Sequence, residues 1–170
     1  MKELKCYYIL GIFFVAILGT LLHFLYQWSG NNFFIGLFSP INESIWEHMK
    51  LLFFPMLLYS FLFIPKLKKN YPCIISSLCF GIFIGTLLIP VLFYTYTSFT
   101  GNNIFFLDIA TFILSIIIAF FISYRLTLSC KAEPYRFLLY GLIIILFLCF
   151  ALFTYYPPNL PLFLDPTMPN

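Results

Sequence analysis

The stretch NESIWEHMK, residues 42–50, places four ionisable side chains, Glu43, Glu47, His48 and Lys50, in a chain that is 9% charged overall. With His23, His48 and Glu47 offer two imidazoles and a carboxylate, a donor set that holds zinc and leaves a position open for water. Glu43, Glu47 and Asp108 are the candidate catalytic carboxylates that would take a proton from such a water. Asn42, Trp46, Lys50, Tyr156 and Asp165 complete the candidate pocket. The spacing is not H-E-x-x-H, in which one helix face carries both histidines. His23 and His48 lie in different segments, so their meeting depends on the fold. Three uses follow from these residue types. One is metal-dependent hydrolysis of a lipid-like substrate. Another is outward-facing ligand or ion binding and transport. The third is a structural or partner-binding role in which a polar knot fixes helix packing without catalysis.

Whatever positions these groups must do so in lipid. The chain has 170 residues, 62% of them hydrophobic, and a mean hydropathy of +1.00. Soluble domains are about 45–50% apolar and about 25% charged. Five apolar segments, at about 6–27, 45–65, 72–96, 104–125 and 135–155, have the length of membrane helices. The alternation expected of barrel strands is absent. The expected architecture is therefore all-α, a single transmembrane domain of five helices over residues 1–170, ending in an extended proline-rich tail, 156–170. The first run is too long for a typical secretory signal and lacks a clear cleavage site, so it reads as a retained helix. Its partner is the lipid bilayer. No basic patch interleaved with exposed aromatics suggests nucleic acid, and nothing in the sequence names a protein partner.

Basic residues sort by loop. Lys2 and Lys5, Lys66, Lys68 and Lys69, and Arg125, Lys131 and Arg136 fall in regions that alternate along the topology and so share one side. The excess of Lys and Arg in short loops marks the cytoplasmic face. The expectation is a multi-pass plasma-membrane protein with its N-terminus cytoplasmic and its C-terminus extracellular. His23, Glu43, Glu47, His48, Asp108 and Asp165 then gather at the outer face.

Ser39 or Asn42 can cap the second span, which makes residues 43 to about 65 helical and puts Glu43 and Glu47 on one stripe. The tail YYPPNLPLFLDPTMPN cannot continue a helix past Tyr156. Leu160, Leu162, Phe163 and Leu164 are expected to anchor it over the outer mouth, bringing Asp165 to the cluster. Cys6, Cys73, Cys79, Cys130 and Cys149 form no C-x-x-C pair and read as apolar filler rather than a disulfide framework.

SPINESIWEHMKLLFFPML (39–57) and YYPPNLPLFLDP (155–166) resemble the paired signatures of an uncharacterised family of small bacterial multi-pass membrane proteins, a domain of unknown function. That family's pattern runs roughly P-x-N-E-x-x-W-E-H-x-K-L, with a closing P-P-x-x-x-L-F-x-D-P. Its members often carry a His before the double Pro, where this chain has Tyr156. The resemblance implies the length and the span number and brings no activity. A weaker likeness is to membrane hydrolases of the alkaline ceramidase and progestin/adiponectin-receptor type. Those bind zinc with three histidines over seven spans, whereas this chain has five apolar spans and two histidines.

Overall fold

A computed structural model describes residues 2–165. The expectation for the tail beyond Asp165 lies outside these described residues. The helices are α1 (Lys2–Trp28), a single turn α2 (Phe33–Gly36), α3 (Ile45–Leu67), α4 (Ile74–Thr100), α5 (Phe105–Ser129) and α6 (Arg136–Phe153), with 3₁₀ turns at Glu133–Tyr135 and Pro161–Phe163. There is no strand among the described residues. Five helices, counting Glu133–Phe153 as one, are long and apolar enough to cross a membrane. The protein is a multi-pass membrane protein built as an α-helical bundle. This architecture satisfies backbone hydrogen bonds within each segment, as lipid requires.

α1, α3, α4 and α5 close a ring in which each packs on the next, and α6 lies outside it against α4. The core runs down the ring through Val15, Leu52, Phe53, Met56, Ile82, Ile116 and Phe120. Large apolar side chains on the outer faces of α1, α5 and α6 stay exposed, as lipid-facing surfaces should.

Lipid offers no hydrophobic force between helices, so close backbone contact through small residues carries much of the packing. Two glycines show this. A Cβ on Gly81 of α4 would strike Ser123 and the Ala119 carbonyl of α5. A Cβ on Gly19 of α1 would strike the Leu51 carbonyl of α3 and the Phe112 ring. That carbonyl is a special one. Pro55 lies inside α3, and a proline has no N–H to give to the carbonyl four residues before it. The gap in the α3 ladder thus faces Gly19 of α1.

Two sequence expectations are corrected here. α3 does not begin at Glu43. Its N-cap is Ser44, whose hydroxyl accepts from the Glu47 amide at 3.4 Å. Asn42 instead turns its side chain onto the Ser44 amide at 3.0 Å, a local turn that competes with helix. Glu43 therefore leaves the stripe it was expected to share with Glu47. The cysteines are not all filler either. Cys73, at the start of α4, and Cys130, at the end of α5, are joined in a disulfide with their Cα atoms 5.3 Å apart. Both cap residues lie at the same end of the α4–α5 hairpin, which brings positions far apart in sequence side by side. Cys6, Cys79 and Cys149 are free.

Candidate metal centre and the buried ion pair beneath it

Starting α3 after Ser44 splits the polar stretch into two layers. His48 is in the first turn and half-buried, Glu43 is in the loop ahead of it, and both reach outward toward α1. Glu47 and Lys50 point inward.

The outer layer contains His23, Glu43 and His48. His23 lies one helical turn beyond Gly19 on the same face of α1, and His48 lies one turn before Leu51 on α3. The close approach of Gly19 to the Leu51 carbonyl therefore sets the two imidazoles together, with ring centroids 5.3 Å apart. The Glu43 carboxylate lies between them. Its Oε2 is 3.4 Å from His48 Nε2 and its Oε1 is 3.9 Å from His23 Nε2. One donor atom from each residue falls within 4.8 Å of the other two. Ligands held about 2.0–2.1 Å from a tetrahedral zinc stand about 3.3 Å apart, so the Glu43–His48 distance already fits and the remaining separations close by up to about 1.5 Å.

The proton positions favour ligation. His48 Nδ1 is 2.9 Å from the Ser44 carbonyl. In the neutral ring that nitrogen carries the proton and Nε2 is left bare, facing Glu43 and His23. A backbone carbonyl fixing the tautomer is the usual support for a metal-binding imidazole. His23 Nδ1 is buried and has no hydrogen-bond partner among the described residues. When His48 is protonated its Nε2–H donates to Glu43, and this hydrogen bond is the chief reason the Glu43 carboxyl is held below its usual pKa, against the opposing effect of burial; a metal ion would take that proton's place. The side chains of His23, Glu43 and His48 are 28%, 43% and 29% exposed, which leaves the cluster open to exchange from one side.

Asp165 joins from the tail. Its Oδ2 accepts from the Glu43 amide at 3.2 Å. The tail is held by Phe163, whose ring lies 4.8 Å from that of Trp46 and packs edge-on against Phe153. Trp46 also packs on Phe150 at 4.7 Å, so it serves as the wall on which the tail closes. Asp108, in the first turn of α5, accepts a hydrogen bond from the Tyr96 hydroxyl.

The inner layer is a fully buried ion pair. Lys50 Nζ is 2.7 Å from Glu47 Oε2, with side-chain exposures of 0% and 2%. The ammonium also donates to the carbonyls of Gly36 at 2.9 Å and Ser39 at 3.4 Å, so each of its three protons has an acceptor. Glu47 Oε2 accepts from the Ile41 amide at 3.0 Å, and Thr154 Oγ1 lies 3.2 Å from Oε1. Removing two charges from water costs several kcal/mol per ion, which only such complete hydrogen bonding offsets. The pair ties the 36–41 loop to α3 and α6. With both oxygens of Glu47 engaged, it is the Glu43 carboxylate, not that of Glu47, that stands with the two imidazoles.

Sequence reasoning missed Thr154 and Tyr155. Tyr155 donates to the Phe33 carbonyl at 2.7 Å and stacks on the Phe33 ring at 4.4 Å. Tyr156, named from the sequence, is exposed. Tyr155 opens the YYPPNLPLFLDP stretch without a role being read for it, and Thr154 lies just before it; each acts on backbone or on a partner far away in the chain.

A family model described as a family of unknown function (DUF6512) matches residues 1–169. The chain belongs to that family. No curated protein and no solved structure matches it. The DUF6512 match takes in α1, the loop before α3 and the tail, all the segments that build both polar layers.

Proposed function

We propose that this chain holds a divalent metal ion, zinc by its donor set, on His23, Glu43 and His48, and that the site hydrolyses a lipid-like substrate with a metal-bound water. One observation carries the reading: three donors from three separate segments converge within 4.8 Å. The Ser44 carbonyl, by taking the Nδ1 proton of His48, supports this use of Nε2. Three protein ligands leave a fourth position open, which is the pattern of catalytic zinc sites. The ion would supply Lewis-acid chemistry and a more acidic water. Asp165 and Asp108 are the carboxylates at this end of the bundle best suited to take up that proton. Exposed Phe24, Trp28, Phe33 and Phe34 around the site suit a substrate that sits at the membrane surface.

A second reading, outward-facing cation binding without hydrolysis, is favoured by the open side chains of the cluster. Both readings need the metal, so metal binding is tested first and turnover of ester or phosphoester lipids second. Retained metal without turnover selects the cation-binding reading.

The distribution of lysine and arginine supports an orientation in which this face is outside and both the N-terminus and the Cys73–Cys130 pair lie on the cytoplasmic side. Cytosolic thiols are usually kept reduced, so on this orientation Cys73 and Cys130 stand as a dithiol in the cell.

A further inference from the structure

At the basic end of the bundle, far from the metal site, α4, α5 and α6 leave a groove of about 340 Å³. That volume lies within the range of about 300–1,000 Å³ usual for small-molecule sites. Its walls are apolar, built from Phe80 and Ile84 of α4, Leu126 of α5, and Leu138 and Leu142 of α6. Among the described residues the cationic side chain lining it is Lys131.

Lys131 sits in a short loop, yet its backbone is fixed on both sides. Cys130 before it is bonded to Cys73. Ala132 after it is buried, 4% exposed. One residue further on, Glu133 accepts from Ser76 Oγ at 2.7 Å, which pins the loop to α4 again. Glu133 is also paired with Arg136 at 3.1 Å, so its charge is already balanced. Among the described residues no carboxylate lies within 4.0 Å of the Lys131 ammonium. An exposed lysine lining an apolar groove matches one kind of molecule, with a negative head and a hydrocarbon body.

The geometry points to a binding site for an anionic phospholipid, with an acyl chain in the α4–α5–α6 groove and the phosphate at Lys131. Basic pockets between membrane helices bind anionic headgroups in this way. The acyl chain covers the apolar walls, and the phosphate supplies the counter-charge that the chain itself does not. The site does not depend on the metal reading, and where Cys73 and Cys130 are reduced the buried Ala132 and the Ser76–Glu133 hydrogen bond still hold the loop.

The test uses the full chain in neutral detergent, analysed by native mass spectrometry with phosphatidylglycerol or phosphatidylcholine added. The expected result is one retained phosphatidylglycerol per chain, with roughly five-fold preference over phosphatidylcholine, the discrimination one basic residue near a bilayer supplies. Lys131→Glu removes the preference, and Leu142→Trp, which fills the groove, removes retention of both lipids. Lys68→Glu, at the same end but outside the groove, leaves both unchanged. Equal retention of the two lipids by the native chain overturns the proposal, as does a preference that survives Lys131→Glu. A dimer that Leu142→Trp dissociates also overturns it, since a second copy would then be the occupant.

Discussion

Gly19 of α1 rests directly against the carbonyl of Leu51 on α3, the carbonyl that Pro55 leaves without its helical donor. His23 follows Gly19 by one turn and His48 precedes Leu51 by one turn, so this single backbone contact sets the distance between the two imidazoles. Gly19→Val is expected to push α1 away, at a cost of about 1–3 kcal/mol for overpacking, and to weaken metal binding at least ten-fold. Gly141→Ala in α6, where a Cβ meets nothing within 4 Å, is the control: it leaves zinc binding unchanged and does not lower the melting temperature. Thermal melting in detergent and zinc titration read the two effects.

The Glu47–Lys50 pair is structural, and its energetics distinguish it from a ligand set. Lys50→Met alone leaves a buried carboxylate without its counter-ion, and Glu47→Gln alone leaves a buried ammonium without one. Each is expected to cost about 3–5 kcal/mol. The Glu47→Gln/Lys50→Met double variant should lose much less than the sum, because neither charge remains. A double-mutant cycle on denaturation midpoints measures this. The double variant, once folded, should still bind metal.

The acid limb of stability reports on Glu43. Its folded-state pKa is lowered by the His48 hydrogen bond, with the His23 and His48 charges adding and Asp165 opposing. A depressed carboxylate adds stability that is present above its unfolded value, about 4.3, and is lost as pH falls through the lower folded value. Glu43→Gln is therefore expected to lower the melting temperature of metal-free protein across the neutral range and to flatten its pH dependence below about pH 5. Acid should also release bound metal, since protons compete for the same donor atoms.

Much of the fold was legible in the sequence, because the length of an apolar run and the absence of alternation are one-dimensional properties. The site was legible only in its residue types. Which carboxylate meets the histidines depends on where α3 starts, and Asn42 and Ser44 compete for that role over a span of two residues. The Ser44 cap wins, Glu43 falls outside the helix, and the Glu43/Glu47 stripe breaks into two layers. The meeting of His23 and His48 depends on a glycine facing a proline-freed carbonyl, which no periodicity encodes. The Cys73–Cys130 bond was missed because spacing rules look for near neighbours. The usable signal was topological: Cys73 precedes one helix of a hairpin, Cys130 follows the other, and both therefore lie at one end.

That pair also tests orientation. If the basic end faces the cytosol, maleimide labelling of cells without prior reduction should modify Cys73 and Cys130, and a cysteine placed at Asn102 should react with a membrane-impermeant reagent added outside. Labelling of Asn102→Cys only after permeabilisation, with the pair found oxidised in untreated cells, would reverse the proposed orientation.

The central claim is the metal centre, and zinc analysis of purified, zinc-equilibrated protein measures it most directly. About one zinc per chain is expected for the native chain and for Glu47→Gln/Lys50→Met, with loss of bound zinc in His23→Ala, Glu43→Gln and His48→Ala. Zinc at background in the native chain, or full zinc retained in folded His48→Ala, would contradict it.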